Sequence, residues 1–239
     1  LMDPIRKLFA GTKTARARGY GPSRFSYNHP EGRCMHCEGR GATLVEMHFL
    51  SDVWVSCEHC GGRRFPRETL EIRWKDHSIA DVLDLPADRA LELFGNQRAL
   101  KRRLQALVDV GLGYLRLGQP ASELSGGEAQ RIKLARRLWA PTHGPRCCFL
   151  LDEPTTGLHF DDVLRLLEVL HRLVDEGHTA IVIEHHLEVI ASADHVLDLG
   201  PEGGAAGGAI VAHGTPRQIM AIPQSHTGQA LRSLAAEIL

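Results

Sequence analysis

The fold is decided by Phe149-Leu150-Leu151-Asp152-Glu153-Pro154, a short apolar run that ends in two adjacent carboxylates. Such a run is typical of a strand buried inside a parallel sheet. Around it, apolar runs alternate with helical patterns, which predicts βαβ units and an α/β fold with a parallel sheet flanked by helices. Strands are expected at 147–151, Thr179–Ile183, 195–199 and 209–212, and helices at 125–139, 161–175 and near Leu187–Ala191.

Two neighbouring strands are expected to end in chemically useful side chains at one edge of the sheet. Parallel strands bring their carboxyl ends to the same edge, where ligands bind in open α/β sheets. Asp152 is placed there to hold Mg²⁺, directly or through water, and Glu153 to polarise an attacking water. The next strand ends in Glu184-His185-His186, and a histidine there can hydrogen-bond a γ-phosphate. Each feature alone is more often a capping aspartate or a loop histidine, so only the combination is informative.

The helix before this strand begins with Leu124-Ser125-Gly126-Gly127-Glu128. Ser125 and Glu128 have the spacing of a capping box. Gly126 and Gly127 leave backbone N–H groups uncovered at the helix N-terminus, an arrangement suited to binding a phosphate. Taken alone, this motif is an ordinary helix start.

Four of the six cysteines form two Cys-x-x-Cys pairs separated by nineteen residues. This spacing predicts a closed, tetrahedral zinc site of the structural type, with free thiols or an iron–sulfur site as alternatives. His36 and His59 lie inside the pairs, but four cysteines already complete the coordination, so we expect both to be surface residues. The segment 43–55 between the pairs has the β-branched character of strands. The expected ligands are Cys34, Cys37, Cys57 and Cys60.

Composition indicates a globular protein, and the charge distribution is compatible with a polyanion partner at one end. Hydrophobic residues make up 43% of the chain, no apolar run is long enough to cross a bilayer, and the start carries no secretion signal, so we expect a cytoplasmic protein. Residues 1–40 hold eight basic and three acidic residues, and 97–146 hold ten and three, whereas 147–239 hold four and thirteen. Charge that clusters only for solubility is an equally good interpretation of this asymmetry.

Together, three of these elements resemble the ABC-type ATPases. Residues 124–128 resemble the ABC signature sequence, and 149–154 resemble the Walker B strand. The segment 155–159 looks like the D-loop that follows it, although His159 stands where transporters usually carry an aspartate. His185 matches the switch histidine.

The cysteine pairs narrow this resemblance to the UvrA family, the damage-sensing subunits of bacterial excinuclease, because ordinary ABC ATPases lack such a module. The resemblance implies an ABC-type ATPase core with a parallel sheet flanked by helices, preceded by a small zinc-binding module and a helical signature region. Further stretches that resemble the C-terminal half of the family are 9–11, 16–20, 45–50, 67–71 and 198–204.

The chain departs from the family in one decisive respect. No lysine follows a glycine anywhere in it, so it lacks a G-x-x-x-x-G-K-[ST] phosphate loop. In the family that loop comes earlier, and we therefore expect a partial chain that does not turn over ATP alone. The resemblance implies ATP, Mg²⁺ and Zn²⁺ as cofactors. The signature residues would complete an ATP site whose phosphate loop lies in the opposing ATPase half. Asp152, Glu153 and His185 would act on the ATP that is held by the missing phosphate loop of their own half.

The resemblance also implies partners. In the intact family a homodimer loads onto damaged double-stranded DNA and hands it to a UvrB-like excinuclease subunit. Because lesions are chemically diverse, recognition should depend on the shape and deformability of the DNA. A solvated basic face is the alternative to DNA contact for the N-terminal stretch. The residues expected to contact DNA phosphates are Lys13, Arg16, Arg18, Arg24 and Arg33.

Four parts are expected along the chain: a basic segment at 1–33, a zinc module with a β-hairpin at 34–75, a helical signature subdomain at 76–146, and the C-terminal α/β part of the ATPase domain at 147–239. The glycine-rich segment 203–208 should be a turn and not a phosphate loop. Two alternative functions fit the same residues, namely a paralogue used for drug self-protection and a non-catalytic zinc-containing DNA-binding module. A transporter ATPase is disfavoured because it has no use for residues 34–75.

Overall fold

The computed structural model describes residues 1–47, 53–139, 145–200 and 207–238, and the chain divides into two compact units. The first unit comprises residues 1–108 and 112–124, and the second comprises 109–111 and 125–239. None of the helices in the described ranges has the length and apolar character needed to cross a membrane.

The first unit is mainly helical. Its core contains the fully buried side chains of Phe9, Phe25, Phe65 and Phe94. Ser78 starts one of its helices with a capping box. The helices are α1 (Met2–Ala10), α2 (Lys13–Ala17), α3 (Arg67–Leu70), α4 (Ile79–Asp84), α5 (Ala87–Leu93) and α6 (Arg98–Asp109), with 3-10 turns at Pro22–Phe25 and Ala121–Glu123.

A two-stranded hairpin lies between the cysteine pairs. Strand β1 (Ala42–Val45) pairs antiparallel with β2 (Val53–Ser56), and Thr43 lies opposite Val55. The two strands confirm the β-character expected for 43–55. Residues 48–52, which include part of the family-like stretch 45–50, lie outside the described residues.

The second unit contains the predicted βαβ arrangement. Helix α7 (Gly126–Leu138) leads to strand β3 (Cys148–Asp152), then α8 (Phe160–Asp175), then β4 (Thr179–Ile183). Strands β3 and β4 are parallel, with Cys148 opposite Thr179 and Asp152 opposite Ile183. Helix α8 buries an apolar face that consists of Val163, Leu166, Val169, Leu170 and Leu173. The parallel pair therefore brings the ends of β3 and β4 to one edge, as the sequence predicts.

The last strand pair is antiparallel. Helix α9 (Leu187–Ala191) is followed by β5 (Val196–Gly200), which pairs antiparallel with β6 (Ala209–Gly214). Only eight residues separate these strands, too few for the crossover helix that a parallel connection needs. Of the expected turn at 203–208, residues 203–206 lie outside the described residues. Helices α10 (Pro216–Met220) and α11 (His226–Ile238) complete the unit.

Candidate functional site

The four paired cysteines converge on one buried point. Their sulfur atoms all lie within 4.8 Å of one another, and all four side chains are buried. The Sγ atoms of Cys37 and Cys60 are 3.7 Å apart, whereas zinc–sulfur bonds of about 2.3 Å at tetrahedral angles would place two sulfurs about 3.8 Å apart. The donor set and its spacing therefore fit a tetrahedral zinc ion.

The two cysteine pairs adopt the same backbone turn. After the second cysteine of each pair come two residues with left-handed φ, Glu38 and Gly39 in one turn and Gly61 and Gly62 in the other. Gly39 has no alternative, since a Cβ there would lie 1.9 Å from the carbonyl oxygen of Tyr27. The left-handed residues therefore shape the turns from which the sulfurs point inward.

The protein environment shifts the pKa values of two thiols of the cluster in opposite directions. A hydrogen bond from the backbone amide of Cys60 lowers the pKa of the Cys57 thiol. Burial, in contrast, raises the pKa of the Cys60 thiol to about 12. Because thiolates are the metal-binding form, a central cation is what would allow all four sulfurs to ionise together.

His36 and His59 lie on the outside of the cluster. Both are exposed, and their ring centroids are 3.7 Å apart. The prediction that they are surface residues is therefore confirmed. Their contact with each other was not expected from the sequence.

The predicted capping box at the start of α7 is present. The Ser125 amide donates to Glu128 Oε2 at 2.7 Å, and the Glu128 amide donates to Ser125 Oγ at 3.2 Å. A Cβ at Gly126 would meet nothing within 4 Å, whereas a Cβ at Gly127 would lie 3.3 Å from Nη1 of Arg131. Gly126 therefore leaves its backbone open to a ligand, and Gly127 leaves room for a side chain of its own helix.

The carboxyl edge of β3 and β4 brings together the residues predicted to act on a nucleotide. Oε1 of Glu153 lies 3.7 Å from Nδ1 of His185, and both side chains are largely exposed. Glu153 has a left-handed backbone with φ 44°, which turns its side chain out of the strand direction. Asp152 precedes it at the strand end, where its amide donates to Oε1 of Gln130 at 3.2 Å. The edge thus offers two carboxylates and one imidazole to a ligand.

Three residues that were not predicted as site residues hold this edge in place. Arg131 of α7 is fully buried and donates from Nη1 to the carbonyl oxygens of Pro154 (2.7 Å) and Thr156 (3.2 Å). Thr155 and Glu184 are joined by two further hydrogen bonds. The spacing of Gly127 and Arg131 was the available signal, since residues four apart share one helix face.

Three of the basic residues expected to contact DNA are held by other protein groups. Nη1 of Arg18 lies 2.9 Å from a carboxylate oxygen of Glu71. Arg24 is half-buried and donates from Nε to Oγ1 of Thr69 at 2.8 Å. Arg33 is half-buried and lies 3.7 Å from a neighbouring carboxylate.

Lys13 and Arg16 differ from these three. Both lie on α2, which is capped at its N-terminus by the Thr12 side chain, and both are exposed. Neither forms an ion pair within the part of the chain that the structure describes. Their charges are the most accessible of the five.

The parallel strand pair ending in Asp152-Glu153, the capped glycine helix and the histidine after β4 form an α/β arrangement of the kind found in ABC-type proteins, and in the chain it follows a four-cysteine module. No protein-family model matches the chain. It is 56% identical to UvrABC system protein A of Pseudomonas aeruginosa over 234 residues and 58% identical to that of Aquifex aeolicus over 232 residues, which is 98% and 97% of this chain and 25% of each relative. The crystal structure of UvrA2 from Deinococcus radiodurans matches with a TM-score of 0.85 at 50% identity, over 97% of this chain and 28% of that one.

The chain therefore belongs to the UvrA family. It spans about a quarter of the length of the curated relatives it matches. The resemblance drawn from the cysteine pairs, the signature and the Walker B strand is confirmed.

Proposed function

We propose that this chain supplies the signature, Walker B and switch elements of a UvrA-type ABC ATPase that acts in nucleotide excision repair. The observation that carries this proposal is the approach of Glu153 to within 3.7 Å of His185 at the carboxyl edge of β3 and β4. A carboxylate and an imidazole at this edge can act together on a water molecule beside a phosphate.

Each residue at the edge has a distinct part in the proposed reaction. Asp152 would hold Mg²⁺, whose charge helps to neutralise the phosphates. Glu153 would accept a hydrogen bond from the attacking water and orient it. His185 would donate a hydrogen bond to the γ-phosphate. Ser125 and the open backbone of Gly126 would contact an ATP molecule held by the phosphate loop of an opposing half.

An uncovered apolar face supports the presence of a further layer on the sheet. Leu150, Ile181 and Ile183 point away from α8 and are 73%, 53% and 63% exposed. Parallel strands are normally buried on both faces. We propose that a segment carrying the phosphate loop, which this chain lacks, packs against this face and places its lysine near Asp152.

The cysteine cluster is proposed to bind one structural zinc ion. Its four thiolates would complete a tetrahedron and leave no open position for catalysis. Zinc would join the two turns and fix the base of the β1–β2 hairpin between them.

Damaged double-stranded DNA is the proposed polyanion, with a homodimer and a UvrB-like subunit as the proposed protein partners. The exposed charges of Lys13 and Arg16 support phosphate contact. Other groups of the protein hold Arg18, Arg24 and Arg33. We therefore propose that these three arginines act on DNA through the local positive potential and not through direct phosphate contacts.

A chimera tests the ATPase proposal. Residues 1–239 would replace the matching segment of UvrABC system protein A of Bacillus subtilis, to which the chain is 56% identical over 232 residues. We expect the chimera to hydrolyse ATP and to bind damaged duplex DNA. The isolated chain should hydrolyse ATP far more slowly and bind the DNA more weakly. A folded chimera that loads zinc but has no ATPase activity would contradict the proposal.

A further inference from the structure

The carboxylate of Glu184 joins the two loops that carry Glu153 and His185. Its Oε1 accepts hydrogen bonds from the amide (3.0 Å) and the hydroxyl (2.5 Å) of Thr155, in the loop after β3. Its Oε2 accepts hydrogen bonds from the amides of His185 (3.0 Å) and His186 (3.3 Å), in the loop after β4. One side chain therefore satisfies donors of both loops at once.

This role needs a carboxylate that stays ionised. Burial by itself raises the pKa of Glu184, but hydrogen bonds from Thr155, His186 and His185 outweigh it and hold the pKa below its ordinary value. An ionised carboxylate has only acceptors, so its two oxygens can serve all four donors. Glu184 is ionised at neutral pH without an ion-pair partner among the described residues.

The loop after β3 is also held from its other side. Arg131 binds the carbonyl oxygens of Pro154 and Thr156, and Glu184 binds the residue between them, Thr155. Three consecutive residues thus have polar groups fixed by the signature helix on one side and by the end of β4 on the other.

Glu153, directly before these three residues, has a backbone that needs such support. A left-handed conformation is costly for a residue other than glycine, and it persists only where the surroundings hold it. The Glu153 amide donates to the carbonyl of Ile183 at 2.9 Å, and the contacts of Arg131 and Glu184 begin at the next residue. The direction of the Glu153 side chain therefore depends on the loop that Glu184 holds.

We propose that Glu184 is a positioning residue that couples the loop after β3 to the loop after β4, and so keeps Glu153 and His185 in one geometry. Its consequence for catalysis rests on the proposed function. The coupling itself is a property of this chain and can be measured without nucleotide.

Thr155 offers the sharpest variants, because it touches Glu184 but not the histidine amides. T155V keeps the shape and removes the hydroxyl donor, and T155S keeps the donor. E184Q keeps the size, but its NH₂ group cannot accept a hydrogen bond, so one of the two loops must lose its acceptor. Glu176, exposed at the end of α8, provides the matched control E176Q.

Amide hydrogen exchange in the full 239-residue chain tests the coupling. We expect T155V to speed exchange at the amides of His185 and His186 about tenfold, and T155S and E176Q to leave it unchanged. Faster exchange confined to the loop after β3 would overturn the proposal. If T155V loosens the whole unit, which exchange at α8 would reveal, T155A removes the same hydroxyl without placing a second methyl group against the carboxylate and decides by the same comparison.

The chimera tests the catalytic consequence. We expect E184Q and T155V to lower kcat about tenfold while KM for ATP changes less than about twofold, because the phosphate loop that grips ATP lies outside this chain. E176Q should keep the native kcat. An unchanged kcat in both variants, or a KM that rises as much as kcat falls, would overturn the positioning role. A native chimera without ATPase activity would count against the proposed function, and the exchange result would still decide the coupling.

Discussion

Arg131 shows how much of the candidate site depends on a residue that sequence motifs do not single out. Its guanidinium is fully buried, and among the described residues its Nη1 bonds are to backbone carbonyls, while its Nε has no hydrogen-bond acceptor. Burying a charge without an ionised partner is costly unless its hydrogen bonds are good. We infer that this cost is tolerated because the buried guanidinium holds the loop that follows Glu153.

The substitution R131M should destabilise the second unit. Methionine fills much of the same space but leaves the carbonyls of Pro154 and Thr156 without a donor, so the free energy of unfolding should fall by about 2–4 kcal/mol. R131K should lose less, because its ammonium can still reach one carbonyl. Urea unfolding measures both. The exposed Arg136 of the same helix gives the control R136M, which should change stability by no more than about 0.5 kcal/mol. A loss in R136M equal to that in R131M would contradict this interpretation.

Glu184 should make stability depend on acid. Its pKa is lowered in the folded chain from an ordinary value of 4.5, so its stabilising contribution is fully present above that value and is lost as the pH falls through the folded pKa. The difference in unfolding free energy between the native chain and E184Q should therefore shrink as the pH falls below about 4.5. The acid sensitivity of the cysteine cluster is common to both proteins and cancels. A difference that stays constant down to acid unfolding would show that the charge of Glu184 does not contribute.

At the scale of elements, local patterns carried most of the prediction. Strand β4 and helix α9 lie within the expected bounds because their apolar runs and caps are local signals, and the cysteine spacing alone identified the cluster. The antiparallel pairing of β5 with β6 was not predicted, because apolar runs do not reveal strand direction when the connection lacks a helix. The left-handed backbone of Glu153 could not be predicted from the sequence either, since contacts distant in sequence impose it.

The zinc module should respond to cysteine substitution as one element. We expect about one zinc ion per chain, and C57S should lose it and release the β1–β2 hairpin. The control is C148S, because Cys148 is exposed in β3 and outside the cluster. Metal analysis and proteolysis between the cysteine pairs measure the two effects. Zinc retained in C57S, or lost equally in C148S, would contradict the four-cysteine site.

At the scale of the whole molecule, charge separates the two ends of the chain. The basic residues of α2 are exposed, whereas the residues from 147 onward are strongly acidic. The proposed contacts with DNA phosphates are therefore tested at the N-terminal end. The sequence revealed this asymmetry, but only the structure separates the accessible Lys13 and Arg16 from the three arginines held by other groups.

Charge reversal at Lys13 and Arg16 in the chimera tests the proposed phosphate contacts. K13E and R16E should each weaken binding to duplex DNA and reduce the slope of log affinity against log salt by about one. Arg217 is exposed on α10, and R217E gives the matched control with the same change in net charge. The proposed phosphate contacts would be contradicted if K13E and R16E left the slope of log affinity against log salt unchanged, or if R217E reduced that slope by as much.

The most direct test of the central claim is ATP hydrolysis by the chimera carrying E153Q. This substitution keeps the shape at the end of β3 but removes the charge that orients the attacking water. We expect kcat to fall by about 100-fold or more while the affinity for ATP stays within about threefold of that of the native chimera. A kcat close to that of the native chimera would contradict the assignment of this chain as the water-orienting part of the ATPase.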